Sequence, residues 1–234
     1  AKFKDRKTII AGEYEITARR MVLATGSRAK IPNINGLDEV SYLTNETLFN
    51  LRKAPRHLAI IGGGPIGLEM AQAHARLGVK ITLIEMNRIM ICHERRFVEP
   101  VEKSLIDDGI NILENTFVNL VEKDKADIKL HLSSGEILLV SDLLIAAGRV
   151  PNIEPLALER AGVEYSEFGV TVDRKLRTTN KLVYAIGDIV EGSRFTHTAS
   201  YHAGIVLKKI LLGFPSKLRT DHIPQVTYTD PEIA

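Results

Sequence analysis

Tryptophan is absent from these 234 residues, cysteine occurs once, at Cys92, and aromatic side chains make up only 6% of the chain. A single thiol cannot close an internal disulfide, which excludes the disulfide-stapled secreted scaffolds. The chain also lacks an apolar run of the ~18 residues that a bilayer-spanning helix needs, and no segment resembles a signal peptide. Charge of one sign is missing too. The 31 Lys and Arg against 29 Asp and Glu leave a formal +2, which supplies no electrostatic footprint for nucleic acid or an anionic membrane. The basic opening of Lys2, Lys4, Arg6 and Lys7 is broken by Asp5 and reads as a solvated hairpin face. The seven histidines show no metal-ligand spacing. A soluble, cytoplasmic protein is expected. With 44% hydrophobic residues the chain can bury real cores, either one large domain or two small ones. There is no initiator Met, the first strand-like sequence begins at once, and the chain closes on Tyr228 to Ala234 with no terminal element completed. Both ends are read as cuts in a longer protein.

Residues 8–26 read as a strand, a turn at Ala11-Gly12, a second strand and then the apolar run Met21 to Ala24, which leaves into Thr25-Gly26-Ser27. Residues 27–56, punctuated by Pro32, Gly36 and Pro55, read as a connector with a short amphipathic piece near Glu46 to Leu51. From His57 the pattern alternates strand and helix. Leu58 to Ile61 is wholly apolar, as expected where both sheet faces are covered. A helix follows with an expected buried stripe of Ile66, Met70, Ala73 and Leu77, closed by Gly78. A second strand, Val79 to Ile84, ends in Glu85. A second helix with expected stripe Phe97, Val101 and Leu105 stops at Gly109 before the strand Ile110 to Leu113. Residues 116–140 read as an antiparallel meander, and Leu143 to Ala146 as the next strand. Further on, Leu182 to Ile186 is an apolar strand ending in Gly187-Asp188, with a helical stretch from Thr198 to Leu212. The chain also echoes itself. Leu23-Ala24-Thr25-Gly26 with Arg28, Pro32, Asn33 and Ile34 resembles Ala146-Ala147-Gly148 with Arg149, Pro151, Asn152 and Ile153, which points to two related nucleotide domains.

Gly62-Gly63-Gly64-Pro65-Ile66-Gly67 fits G-x-G-x-x-G. The pattern alone is weak, but here it follows a strand, opens a helix and has an acidic residue, Glu85, at the end of the next strand. Gly62 permits the turn, Gly64 lets the backbone approach a pyrophosphate, and Gly67 lets helix and strand pack closely. Pro65 sits where a missing N–H costs nothing. Free N–H groups and the positive helix end then suit a phosphate. A carboxylate at Glu85 accepts ribose hydroxyls and repels a 2′-phosphate, which favours NAD(H) over NADP(H), although Arg88 lies close enough in sequence to complicate this. Glu69 fits a solvent-facing helix position and a nicotinamide-facing one equally. Asp188 fits a turn or cap as well as a ligand-binding place at a strand end.

Taken together, Ala24-Thr25-Gly26-Ser27, Gly62 to Gly67 with Glu85, Ala147 to Asn152 and Ala185-Ile186-Gly187-Asp188 resemble the ordered signature of the pyridine nucleotide-disulfide oxidoreductases. The segment Phe195-Thr196-His197 with Ala203-Gly204 is most similar to the dihydrolipoyl dehydrogenase-like and mercuric reductase-like branches. The resemblance implies that Gly62, Gly64, Pro65, Ile66, Gly67 and Glu85 hold NAD(H), with Glu69 and Gly148 near the nicotinamide half. It also implies that Thr25 and Gly26 line an FAD site, that Asp188 binds the flavin ribityl hydroxyls, and that Thr196, His197 and Thr198 pass close to the flavin ring. Residues 229–234 resemble the start of the family's dimerisation domain, so the parent protein is expected to be a homodimer.

The family's first G-x-G-x-x-G, its Cys-x4-Cys redox pair and its C-terminal His-Glu pair have no counterpart here. Cys92 is no substitute and is read as an incidental thiol, although His93, Arg95 and Arg96 could lower its pKa. The expected fold is α/β: a Rossmann-like NAD(H)-binding domain at 55–150, with a parallel sheet and an antiparallel meander. It is flanked by two parts of an incomplete FAD-binding domain at 1–54 and 151–222, and followed by a truncated dimerisation domain at 223–234. The expected parent is an oxidoreductase passing hydride between NADH and FAD and on to a disulfide or related acceptor, with these residues inactive alone. The alternatives are a stand-alone NAD(H)-binding redox sensor or a flavin reductase without a redox disulfide.

Overall fold

A computed structural model describes residues 1–192 and 194–234. The chain resolves into two compact units, each assembled from separate stretches of sequence: Ala1–Arg28 with Arg149–Pro224, and Ala29–Gly148 with Gln225–Ala234. Among the described residues, no helix is long and apolar enough to cross a membrane.

The first unit opens with β1 (Lys2–Phe3), β2 (Thr8–Ala11) and β3 (Tyr14–Thr17), an antiparallel meander, followed by β4 (Met21–Leu23) and β5 (Ser27–Ala29). The meander is the hairpin expected from the turn at Gly12, and Lys4 on its basic face is paired with Glu15.

The second unit holds β6 (His57–Ile61), α1 (Pro65–Arg76), β7 (Lys80–Ile84), α2 (Arg95–Asp107), β8 (Asn111–Leu113), β9 (Val118–Asp124), β10 (Asp127–Leu132), β11 (Ile137–Val140) and β12 (Asp142–Ile145). Its centre is an all-parallel sheet in the order β12-β6-β7-β8, with Leu58 opposite Ile81 and Leu144 opposite Ile60. Leu58, Ala59 and Ile60 are inaccessible to solvent, as the uninterrupted apolar run of β6 requires. One face packs on α1 and α2 through Leu68, Ala71, Val98, Val101 and Leu105. The other is covered by the antiparallel β11-β10-β9 meander through Val121, Leu130 and Val140. Residues 29–54 pack within this unit, where Leu37, Val40 and Leu48 are buried. Their amphipathic piece is a single 3-10 turn at Leu48–Asn50. The closing residues 225–234 return to α1 and bury Ile233 in the same core.

The helix phases differ from the sequence reading. In α1 the buried residues are Gly67, Leu68, Ala71 and Gln72, while Leu77, expected inside, is 76% exposed, and Ala73 also faces solvent. A Cβ on Gly67 would stand 1.9 Å from the Gly62 carbonyl oxygen, so this glycine must face β6. The face that follows at four-residue steps is small, Ala71 and Ala75, not the most hydrophobic one. In α2 the stripe is Val98, Val101 and Leu105, and Phe97 is 52% exposed with the Arg96 guanidinium 4.7 Å above its ring. The two phases differ by one residue, and both satisfy a helical period.

Back in the first unit lie β13 (Arg149–Pro151), α3 (Leu158–Ala161), β14 (Tyr165–Ser166), β15 (Gly169–Val170), β16 (Val183–Ala185) and α4 (Thr196–Leu212). The two flanking pieces of sequence do pair: β16 lies parallel to β4, with Val183 opposite Met21 and Ala185 opposite Leu23. One core gathers Phe3, Met21, Leu23, Leu158, Val170 and Val183, and a second joins Tyr184 to Ile205 and Val206 of α4. Helix α4 begins two residues earlier than its sequence periodicity indicates.

Candidate nucleotide-binding sites

In the second unit, the loop from β6 into α1 is shaped by what its glycines exclude and admit. Gly62 has φ +120°, and a Cβ there would lie 2.4 Å from the Ala146 carbonyl oxygen. Together with the 1.9 Å approach at Gly67, this clamps the loop between β6, β12 and α1. Gly64 is different: a Cβ there would meet nothing within 4 Å, so its backbone faces open space. Pro65 takes the first helical position and no side chain caps the helix, so the leading N–H groups of α1 have no intramolecular acceptor of that kind. The result is an uncapped positive helix end beside accessible backbone, the standard anion seat of this motif.

Glu85 closes the loop at the end of β7. Its Oε2 accepts from the Gly63 N–H at 2.7 Å and its Oε1 from the Asn87 N–H at 2.8 Å. The carboxylate is thus held at the glycine loop by two main-chain donors, with lone pairs left for hydroxyl donors. Arg88 is exposed. Gly148 follows β12 with φ +107°, and its carbonyl accepts from the Lys30 N–H at 2.9 Å. Glu69 lies one turn into α1, where its Oε1 accepts from the Tyr228 N–H at 2.9 Å. It is therefore neither simply solvated nor free, because it joins Gln72 and Arg76 in holding the segment around Asp230 on the helix.

In the first unit, the ends of β4 and β16 and the start of α4 converge. Gly26 takes φ +67° after β4. Thr25 Oγ1 donates to the Asn152 carbonyl at 2.9 Å, and Asn152 returns Nδ2–H to the Thr25 carbonyl at 2.9 Å, so the two echoed motifs clasp each other. Asp188, half-buried in the 3-10 turn after β16, accepts at Oδ2 from Ser27 Oγ at 2.7 Å, with Arg149 Nε 3.5 Å away. The Gly187 N–H donates to His202 Nδ1 at 3.3 Å, which requires that nitrogen unprotonated, and burial pushes the His202 pKa below its ordinary value. On the first turn of α4, Thr196 is exposed. His197 stacks on Phe195 with centroids 5.3 Å apart and bonds through Nε2 to the Pro224 carbonyl at 2.7 Å. The Thr198 hydroxyl is buried and has no hydrogen-bond partner among the described residues. A buried polar atom left unmatched costs free energy.

Thr25, Gly26 and Asp188 lie together with Thr198 in one unit, and Gly62, Gly64, Pro65, Ile66, Gly67, Glu69, Glu85 and Gly148 lie in the other. Sequence reasoning missed Ser27, Arg149 and His202 as partners of the Gly187-Asp188 turn. The first two stood inside the quoted motifs, and Arg149 also belonged to the internal echo, whereas a histidine inside α4 gave no signal.

A family model for pyridine nucleotide-disulphide oxidoreductases matches residues 1–203. The chain is 36% identical over 239 residues to a mercuric reductase of Bacillus cereus, covering 100% of this chain and 38% of that protein. It is 32% identical over 224 residues to a dihydrolipoyl dehydrogenase of Geobacillus stearothermophilus, covering 93% of this chain and 47% of the relative. Among solved structures, the Cu(II) complex of the HOCl-induced flavoprotein disulfide reductase RclA from Escherichia coli superposes with a TM-score of 0.92 at 28% identity, across 99% of this chain and 54% of that one. LpdA of Mycobacterium tuberculosis gives a TM-score of 0.84 at 26% identity, across 96% of this chain and 50% of that one. The chain thus spans about half or less of the length of the relatives it matches. With motif order, sheet topology and sequence identity in agreement over nearly its whole length, the chain belongs to the pyridine nucleotide-disulphide oxidoreductase family.

Proposed function

We propose that these residues are the nucleotide-binding core of a FAD- and NAD(H)-dependent oxidoreductase in which hydride passes between NADH and FAD and onward to a disulfide or related acceptor. The observation that carries this reading is the uncapped helix α1 opening at Gly64, with the Glu85 carboxylate fixed beside it. Gly62, Gly64, Pro65, Ile66 and Gly67 hold the dinucleotide pyrophosphate, and Glu85 takes the adenosine ribose hydroxyls and repels a 2′-phosphate. Gly148 and Glu69 serve the nicotinamide half. In the other unit, Asp188 receives flavin ribityl hydroxyls, Thr25 and Gly26 line the same site, and Thr196, His197 and Thr198 bring the positive start of α4 toward the flavin. The unmatched Thr198 hydroxyl and the Asp188 carboxylate fit a ligand rich in hydroxyl and carbonyl groups. When bound, the flavin supplies the two-electron chemistry; the chain's part is binding and orientation.

Cys92 is the single cysteine and is exposed, so these residues contain no redox disulfide of their own and are expected to bind nucleotide without reducing a disulfide. Residues 225–234 begin the dimerisation domain of a homodimer, and the protein works in the cytoplasm.

The test is a titration with NADH and separately NADPH, followed by nicotinamide fluorescence, which no tryptophan obscures. NADH is expected to bind saturably and NADPH at least tenfold more weakly, with Glu85→Ala narrowing that ratio about tenfold. Tighter binding of NADPH would overturn the role of Glu85 and turn attention to Arg88.

A further inference from the structure

Asp188 does not stand alone in its turn. Arg149 donates from Nε to Ser27 Oγ at 2.6 Å and from a terminal nitrogen to the Ser27 carbonyl at 2.7 Å, while Ser27 Oγ lies 2.7 Å from Asp188 Oδ2. Arginine can only donate, so it occupies a lone pair of the serine oxygen. The single hydroxyl hydrogen is then committed to Asp188. Every donor in the chain Arg149, Ser27, Asp188 points the same way, toward the carboxylate. Arg149 is itself held, its carbonyl accepting from Arg194 at 2.6 Å.

Resting on the flavin reading given above, we infer that Ser27 is a positioning residue that relays Arg149 onto Asp188 Oδ2 and leaves Oδ1 as the oxygen that meets the ligand. Two consequences follow from the chemistry. Ser27 has no hydrogen left to offer a ligand, so it acts through Asp188 and not beside it. The carboxylate oxygen left open is an acceptor and therefore selects a hydroxyl donor over an anion.

The experiment uses the full-length gene product, stripped of flavin and titrated with FAD by flavin fluorescence, for the parent protein, Ser27→Ala, Asp188→Ala and the double variant. Ser27→Ala is expected to weaken FAD binding ~10- to 100-fold. Asp188→Ala is expected to weaken it at least as much, and the double variant is expected to match Asp188→Ala alone. Ser27→Thr, which keeps the hydroxyl, should recover most of the loss, and NADH affinity should stay within about twofold throughout. If Ser27→Ala does not fold, Ser27→Cys, a weak donor of similar size, carries the same comparison. Full FAD affinity in Asp188→Ala would overturn the flavin reading itself. Loss in Asp188→Ala with none in Ser27→Ala, or losses that add in the double variant, would overturn the relay alone.

Discussion

Gly64 and Gly67 stand three residues apart in one loop, and replacing each by alanine has opposite consequences. A methyl at Gly67 would sit 1.9 Å from the Gly62 carbonyl oxygen, a contact that only movement of α1 away from β6 relieves. Gly67→Ala is expected to lower stability by more than about 2 kcal/mol despite alanine's better helix propensity, read as a fall in the thermal midpoint. At Gly64, with φ −86° and no atom within 4 Å of the new carbon, alanine is tolerated by the fold within about 0.5 kcal/mol. On the proposed function the same methyl fills the space through which a phosphate approaches, so NADH binding should weaken while the midpoint holds. Equal damage in both assays at both positions would remove the distinction between a packing glycine and a ligand glycine. The steric contrast between the two positions was legible in the sequence, because each position of the G-x-G-x-x-G pattern carries its own steric demand. His202 was not legible, because the group it serves lies 15 residues away and no periodicity connects them, and Ser27 was legible only as a member of its motif, since Asp188 lies 161 residues away in sequence.

The two helices of the parallel-sheet unit separate what local pattern can determine from what packing decides. Their existence and their stops at Gly78 and Gly109 followed from periodicity and helix-ending glycines. Their phase did not, because hydrophobicity ranks Ile66 and Leu77 above Gly67 and Ala71, whereas a helix pressed against a strand selects small residues. In α2, the 97-101-105 and 98-101-105 stripes are both helical, and only the sheet chooses between them. Leu105→Ala is therefore expected to cost about 2–5 kcal/mol, since this side chain is wholly buried. Leu77→Ala, at the exposed residue that follows the last turn of α1, should stay within about 0.5 kcal/mol in denaturant unfolding. A large effect at Leu77 would mean that α1 is rotated from the phase described. The meander was legible strand by strand because its alternation has period two and its turns carry the right residues.

At the scale of the whole molecule, two buried histidines tie stability to pH in the same direction, one in each unit. Burial, reinforced by Lys80, pushes His57 below its ordinary 6.5, and burial alone does so for His202. The unfolded chain then takes up protons that the folded chain refuses, so the stability present above pH 6.5 is lost as pH falls through the lower folded-state values. The unfolding midpoint should be nearly level from pH 8 to 7 and decline below about 6.5. In His202→Asn, whose side-chain oxygen can still accept from the Gly187 N–H, that decline should be shallower. An unchanged slope would remove His202 from the account.

The threading of the two units carries a further consequence for how the polypeptide is made. Strand β4 pairs with β16, Met21 beside Val183, and the whole of Ala29–Gly148 is synthesised between them. On the ribosome, the parallel sheet with its glycine loop emerges complete while β4 still waits for its partner strand. Thr227 to Ile233, made later still, return to a helix whose Glu69 lies 159 residues earlier. Translation order therefore imposes a sequence on assembly, the glycine-loop sheet first, then the pairing of β4 with β16, and after that the return of Thr227 to Ile233.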